Sequence, residues 1–189
     1  MSIADAFGVV ALVLLTGAQL FSNSFLKKYV KFYFLFGAII MFSLAAHSTF
    51  LQYKLWKASA LSVFLLPPYR DWSYFISYTG PRFFYPLLIA FFAAVVLKYV
   101  SEFLNRRFGE RFFKPEESWF LAFGVFFTGY PGLFLYIPLI LVAGILLSFF
   151  YFLLKKGRAP LFYLWLPVAI FAILLKNQIP SSILNGFIL

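Results

Sequence analysis

Two adjacent carboxylates, Glu116 and Glu117, stand at the head of a long apolar run in FFKPEESWFLAFGVFFTGYPG, residues 112–132. Acids so placed suit three kinds of chemistry: acid–base work, ion binding, or the capping of a helix start. Pro115 fits the first turn of a helix, and acids there meet the positive end of the helix dipole. A capped helix start is therefore the plain reading. The functional reading needs one of the two to turn into the protein, because a carboxylate kept at membrane depth serves a proton, an ion or a reaction. Asp71, in Arg70-Asp71-Trp72, is a third acid, with Arg70 and Arg82 as its ion-pair candidates in an interfacial loop. His47, in AAHSTF, is the only histidine, suited to a proton relay or to a hydrogen bond with a neighbouring helix. One histidine and no cysteine exclude multi-histidine and thiolate metal sites, disulfides and a cysteine nucleophile. There is no Gly-rich phosphate loop, no GxSxG and no HExxH. The sequence thus points to no cofactor and no metal.

The elements that must position these residues follow from composition. Of 189 residues, 63% are hydrophobic and only 12% are charged. A soluble domain carries about 25% charged residues. The class expected is all-α, a polytopic integral membrane protein of about six transmembrane helices, because a backbone exposed to lipid must satisfy its own hydrogen bonds. The even apolar runs do not alternate as barrel strands do. Spans are expected at about 3–21, 33–52, 83–101, 117–130, 133–154 and 160–176, in a single membrane domain over 1–189. The first run has no basic flank before it and no small-residue cleavage site, so it reads as a retained span. Residues 53–82 hold LSVFLLPP, too short to cross, amid Trp and Tyr, and read as an interfacial or re-entrant segment. Pro86, Pro138 and Pro167 are expected to bend or open the spans that hold them.

The formal net charge of +10 does not indicate nucleic acid, since the cations sit in short clusters between apolar runs, where they face lipid headgroups. Eleven cations, Lys98 included, fall around the loops after spans 1, 3 and 5, against five on the other side. These three loops are therefore expected to be cytoplasmic, with both termini outside.

FKPEESWFLAFGVFFTGYPGLF (113–134) and GRAPLFYLWLPVAIFAILL (157–175) resemble the opening of span 4 and the last loop and span of the type IV prepilin peptidases. That resemblance implies an inner-membrane six-span fold with one aspartate just after span 1 and another in a GxGD motif opening span 4, both cytoplasmic. Aligned on Gly124, Glu116 takes the position of the second aspartate, with Phe113-Lys114-Pro115-Glu116 in place of GxGD. After span 1 the chain reads FSNSFLKKY, with no acid. An aspartyl protease needs two carboxylates sharing a proton. The resemblance therefore implies a non-catalytic or altered relative that binds a hydrophobic partner helix, pilin-like, or lipid, with Glu116 and then Glu117 as its catalytic candidates. A reading of another class makes the chain a structural or substrate-handling subunit of a larger membrane complex or transporter, its proline-interrupted spans shaping a partner surface or lipid cavity.

Overall fold

The computed structural model describes residues 2–21, 23–109, 116–154 and 161–179, the side chains of 23–27 apart. The described residues are helical, with no strand among them. In chain order they form α1 (Ile3–Phe21), α2 (Asn23–Ala58), a 3-10 turn (Ser62–Leu65), α3 (Trp72–Thr79), a π-helical turn (Gly80–Phe84), α4 (Tyr85–Arg107), α5 (Glu117–Thr128), α6 (Leu133–Leu153), a second 3-10 turn (Leu161–Tyr163) and α7 (Trp165–Gln178). Five helical stretches are long and apolar enough to cross a membrane: α1, α2 from Lys28, the continuous run Trp72–Arg107, α6, and Leu161–Gln178. Their outer faces carry Phe32, Phe36, Phe92, Phe103, Ile145 and Phe149, all exposed. So large an apolar surface is not tolerated in water. The chain is an all-α polytopic membrane protein.

The helix α2 runs well past the expected 33–52. Its ends carry Lys28, Lys31, Lys54 and Lys57, and long lysines keep their charge in the headgroup layer while their stems follow the helix. Residues 53–82 divide between the end of α2, the 3-10 turn and α3. There Trp56, Leu66 and Phe75 make a small core of their own with Tyr53 packed on it. From Gly80 the helix does not stop but loosens into the π turn and continues as α4. Pro81 has no N–H to give to that ladder, which is a cause of such local widening. Pro167 lies in the first turn of α7, where proline costs no hydrogen bond, Pro86 follows directly on the π turn, and Pro138 sits inside α6.

At the centre is α5. Its twelve residues rise only about 18 Å, well short of a bilayer core of about 30 Å. It is apolar nearly all round, the signature of a helix buried on every side, and Phe120, Phe123, Val125, Phe126 and Phe127 are almost wholly inaccessible. The other helices enclose it. Phe34 of α2 meets Phe91 of α4 and Trp119, Phe123 and Phe126 of α5 at centroid distances of 5.4–6.1 Å. Gly129, at φ +65°, takes a positive-φ conformation open to glycine, ends α5 and turns the chain into α6. Gln19 of α1, buried, donates from Nε2 to the Phe162 carbonyl at 2.7 Å, fixing α1 to the turn before α7.

Candidate functional site

The start of α5 lies against the last two turns of α4, and the contact is polar. In α4 the residues Lys98, Ser101, Glu102 and Asn105 recur at spacings of three, four and seven, which puts them on one face of the helix. Lys98, Ser101 and Asn105 are buried there, as are Glu117 and Ser118 of the first turn of α5. Lys98 Nζ pairs with Glu102 Oε2 at 2.9 Å. Ser118 Oγ donates to Glu102 Oε1 at 3.1 Å, and Ser101 Oγ donates to the Lys98 carbonyl at 2.8 Å. The ammonium of Lys98 also stands 4.0 Å from the ring centroid of Tyr99 and 4.8 Å from that of Trp119. Two aromatic faces and a carboxylate thus replace the water this cation has lost.

The two glutamates of the opening motif part company here. Glu116 is the N-cap residue of α5, half-buried. Its side chain makes no capping bond, while its carbonyl accepts from the Trp119 and Phe120 amides at 3.1 and 3.3 Å. Glu117 is 5% exposed and faces the bundle. The segment Phe113-Lys114-Pro115, the polar end of span 1 at Ser22 and the basic loop 157–160 lie outside the described residues. His47 and Asp71 join no cluster. His47 is exposed on α2, and its side chain makes no hydrogen bond among the described residues. Asp71 is exposed as the N-cap of α3, without an ion pair there. Arg70 and Arg82, its expected partners, lie instead over the Tyr74 and Tyr78 rings at 5.1 and 5.7 Å.

Chemically, the polar row is built on an ion pair. Glu102 of α4 is a further carboxylate beside the start of α5, and its position in the sequence did not single it out. A protease dyad sets two carboxylates to share a proton, whereas Glu102 has an ammonium and a hydroxyl as its partners. The row also clamps α4 to α5. Ser118→Ala is expected to lower stability by about 1 kcal/mol, the usual net value of one hydrogen bond. Lys98→Met leaves Glu102 without its cation. Its cost is set at about 2 kcal/mol, below that of a fully buried pair because Glu102 stays partly exposed. Unfolding of the detergent-solubilised variants measures both, and equal stability of Lys98→Met and wild type contradicts the clamp.

A second charged cluster lies at the opposite end of α5. There Lys176 of α7 pairs with Asp5 of α1 and donates to the Thr128 carbonyl at the end of α5, 3.3 Å away. Asp5 and Lys176 are 171 residues apart in the chain, and nothing in the spacing announces the pair.

An apolar groove of about 510 Å³ runs between α4 and α6. Leu121, Leu164 and Trp165 line it together with Leu97, Gly144 and Ser148. It exists because α5 is too short to fill the depth between its longer neighbours. One of its ends adjoins the polar row, since Leu97 precedes Lys98 and Leu121 follows Ser118 by one turn.

Set against protein-family models, curated proteins and solved structures, the chain matches none of them.

Proposed function

We propose that the chain is a membrane-embedded binding protein for an apolar partner helix, built on the plan of the prepilin-peptidase membrane domain and without that domain's two-carboxylate cleavage chemistry. The observation that carries this reading is the apolar groove between α4 and α6, lined by Leu97, Leu121, Gly144 and Ser148. In lipid, helices associate through close packing and polar contacts rather than through the hydrophobic effect. Gly144 and Ser148, four apart on α6, line the groove and let a neighbouring helix approach closely. The likeness of 113–134 and 157–175 to the prepilin peptidases supports a helix, not a soluble peptide, as the partner. The commitment of Glu102 to Lys98 supports binding over cleavage.

The test combines two measurements on the full chain in liposomes with a pilin-like single-span peptide. A photoreactive side chain at Ile145, beside the groove, is expected to give a saturable adduct with the peptide that Gly144→Leu reduces about tenfold, since one well-packed helix contact contributes on the order of 1–2 kcal/mol. Wild type and Glu116→Gln are both expected to leave a pilin precursor uncleaved. Adducts with lipid only remove the binding reading. Cleavage lost in Glu116→Gln replaces it with the peptidase reading.

A further inference from the structure

The far end of the bundle holds a cavity of about 410 Å³, enclosed by the start of α1, the middle of α2, the π turn and first turn of α4, the turn after α5 and the end of α7. Its wall is apolar on one side, where Met41, Leu44, Leu87 and Phe127 face it. Three charged residues also line it: Asp5, Lys176 and Arg82. Asp5 and Lys176 neutralise each other. Arg82 makes no ion pair among the described residues, and its only side-chain hydrogen bond there is from Nη1 to the Tyr78 hydroxyl, at 2.7 Å. The rings of Tyr78 and Phe83, 5.7 and 5.9 Å from the guanidinium carbon, hold it in place. Most of the guanidinium donors remain unused.

We propose that this cavity binds the phosphate head of an anionic membrane phospholipid, with Arg82 as the ligand to the phosphate and the Met41–Leu87 wall covering the beginning of an acyl chain. Three features argue for that occupant. The charge balance of the cavity is one positive, which a phosphodiester completes. A guanidinium presents a planar fork that matches two phosphate oxygens. The wall is apolar and continues onto exposed Leu88, Ile89 and Phe92 of α4, a surface that meets acyl chains and not water. The π turn has a part in this as well. By widening the helix at Gly80–Phe84 it re-aims Arg82 relative to the face followed by the rest of α4. The inference is independent of the groove between α4 and α6, which lies elsewhere on the bundle.

The experiment is native mass spectrometry of the delipidated full chain in neutral detergent, titrated with phosphatidylglycerol or phosphatidylcholine of identical chains. One phosphatidylglycerol is expected to be retained about tenfold more strongly than phosphatidylcholine, the scale of one charge-assisted hydrogen-bonded contact. Arg82→Gln is expected to abolish that preference, Arg82→Lys to keep part of it, and Lys57→Gln, an exposed cation on α2 that does not line the cavity, to leave it intact. Arg82 is itself exposed, so the glutamine variant is expected to unfold at the wild-type temperature. Excess glycerol 1-phosphate, the head without its chains, is expected not to displace the lipid. Equal retention of phosphatidylglycerol by wild type and Arg82→Gln overturns the proposal. Displacement by glycerol 1-phosphate at equal concentration also overturns it, in favour of a site for soluble phosphates.

Discussion

Gly124→Ala is expected to lower the stability of the folded chain by about 3 kcal/mol, at the upper end of what overpacking a core costs. The reason is local and stiff. Gly124 faces α6, and a Cβ added there would fall within the phenol of Tyr136. That ring is fully buried, and its hydroxyl donates to the Trp165 carbonyl of α7 at 3.2 Å. It cannot swing away without abandoning the bond. Nor can α5 withdraw, because Phe120, Phe123, Phe126 and Phe127 pack its other sides. Denaturant unfolding in mixed micelles measures the loss. The double variant Gly124→Ala/Tyr136→Leu, which removes the obstructing ring, is expected to recover part of it. Wild-type stability of Gly124→Ala contradicts the packing described for α5 and α6.

The second large effect belongs to the ion pair between the first helix and the last. Asp5 and Lys176 each keep only 14% of their side-chain surface accessible. Removing one partner strands the other charge where water barely reaches it. Lys176→Met is therefore expected to cost about 3 kcal/mol, and Asp5→Asn a similar amount. Removing both strands nothing. The double variant Asp5→Asn/Lys176→Met is expected to be more stable than the sum of the single losses by about 1 kcal/mol or more. Strict additivity in this cycle means that the two residues do not meet. Because Lys176 also donates to the Thr128 carbonyl, the pair fastens α1 and α7 to the end of α5, and its loss should loosen that end first.

What could be read from the sequence was what lipid imposes locally. Apolar runs of sufficient length become helices wherever they occur, so the α class and the positions of α1, α6 and α7 were legible. The continuity of Trp72–Arg107 was not, since Gly80 and Pro81 normally punctuate a helix, and only tertiary support lets one pass through them as a π turn. The polar row was half legible. KYVSEFLN repeats polar residues at helical spacing, but the same residues also serve as loop charges when sidedness is being counted. Only the burial of α4 against α5 separates those roles. The pairing of Asp5 with Lys176 had no local signal, because it depends on the ends of two helices at opposite ends of the chain coming together. For the glutamates, the adjacent acids were legible and their division was not. Neighbours on a helix point about 100° apart, so of two consecutive acids one can stay near the surface while the other turns inward.

That division is the point on which the candidate site stands, and cysteine labelling tests it directly. The chain has no cysteine of its own, so Glu116→Cys and Glu117→Cys each introduce a single reporter. In sealed liposomes of uniform orientation, treated with a membrane-impermeant maleimide on the side where α5 begins, the thiol at 116 is expected to label readily. The thiol at 117 is expected to label only after denaturation. Ready labelling at both positions would make the pair a solvated helix start and remove Glu117 from the bundle and from the site.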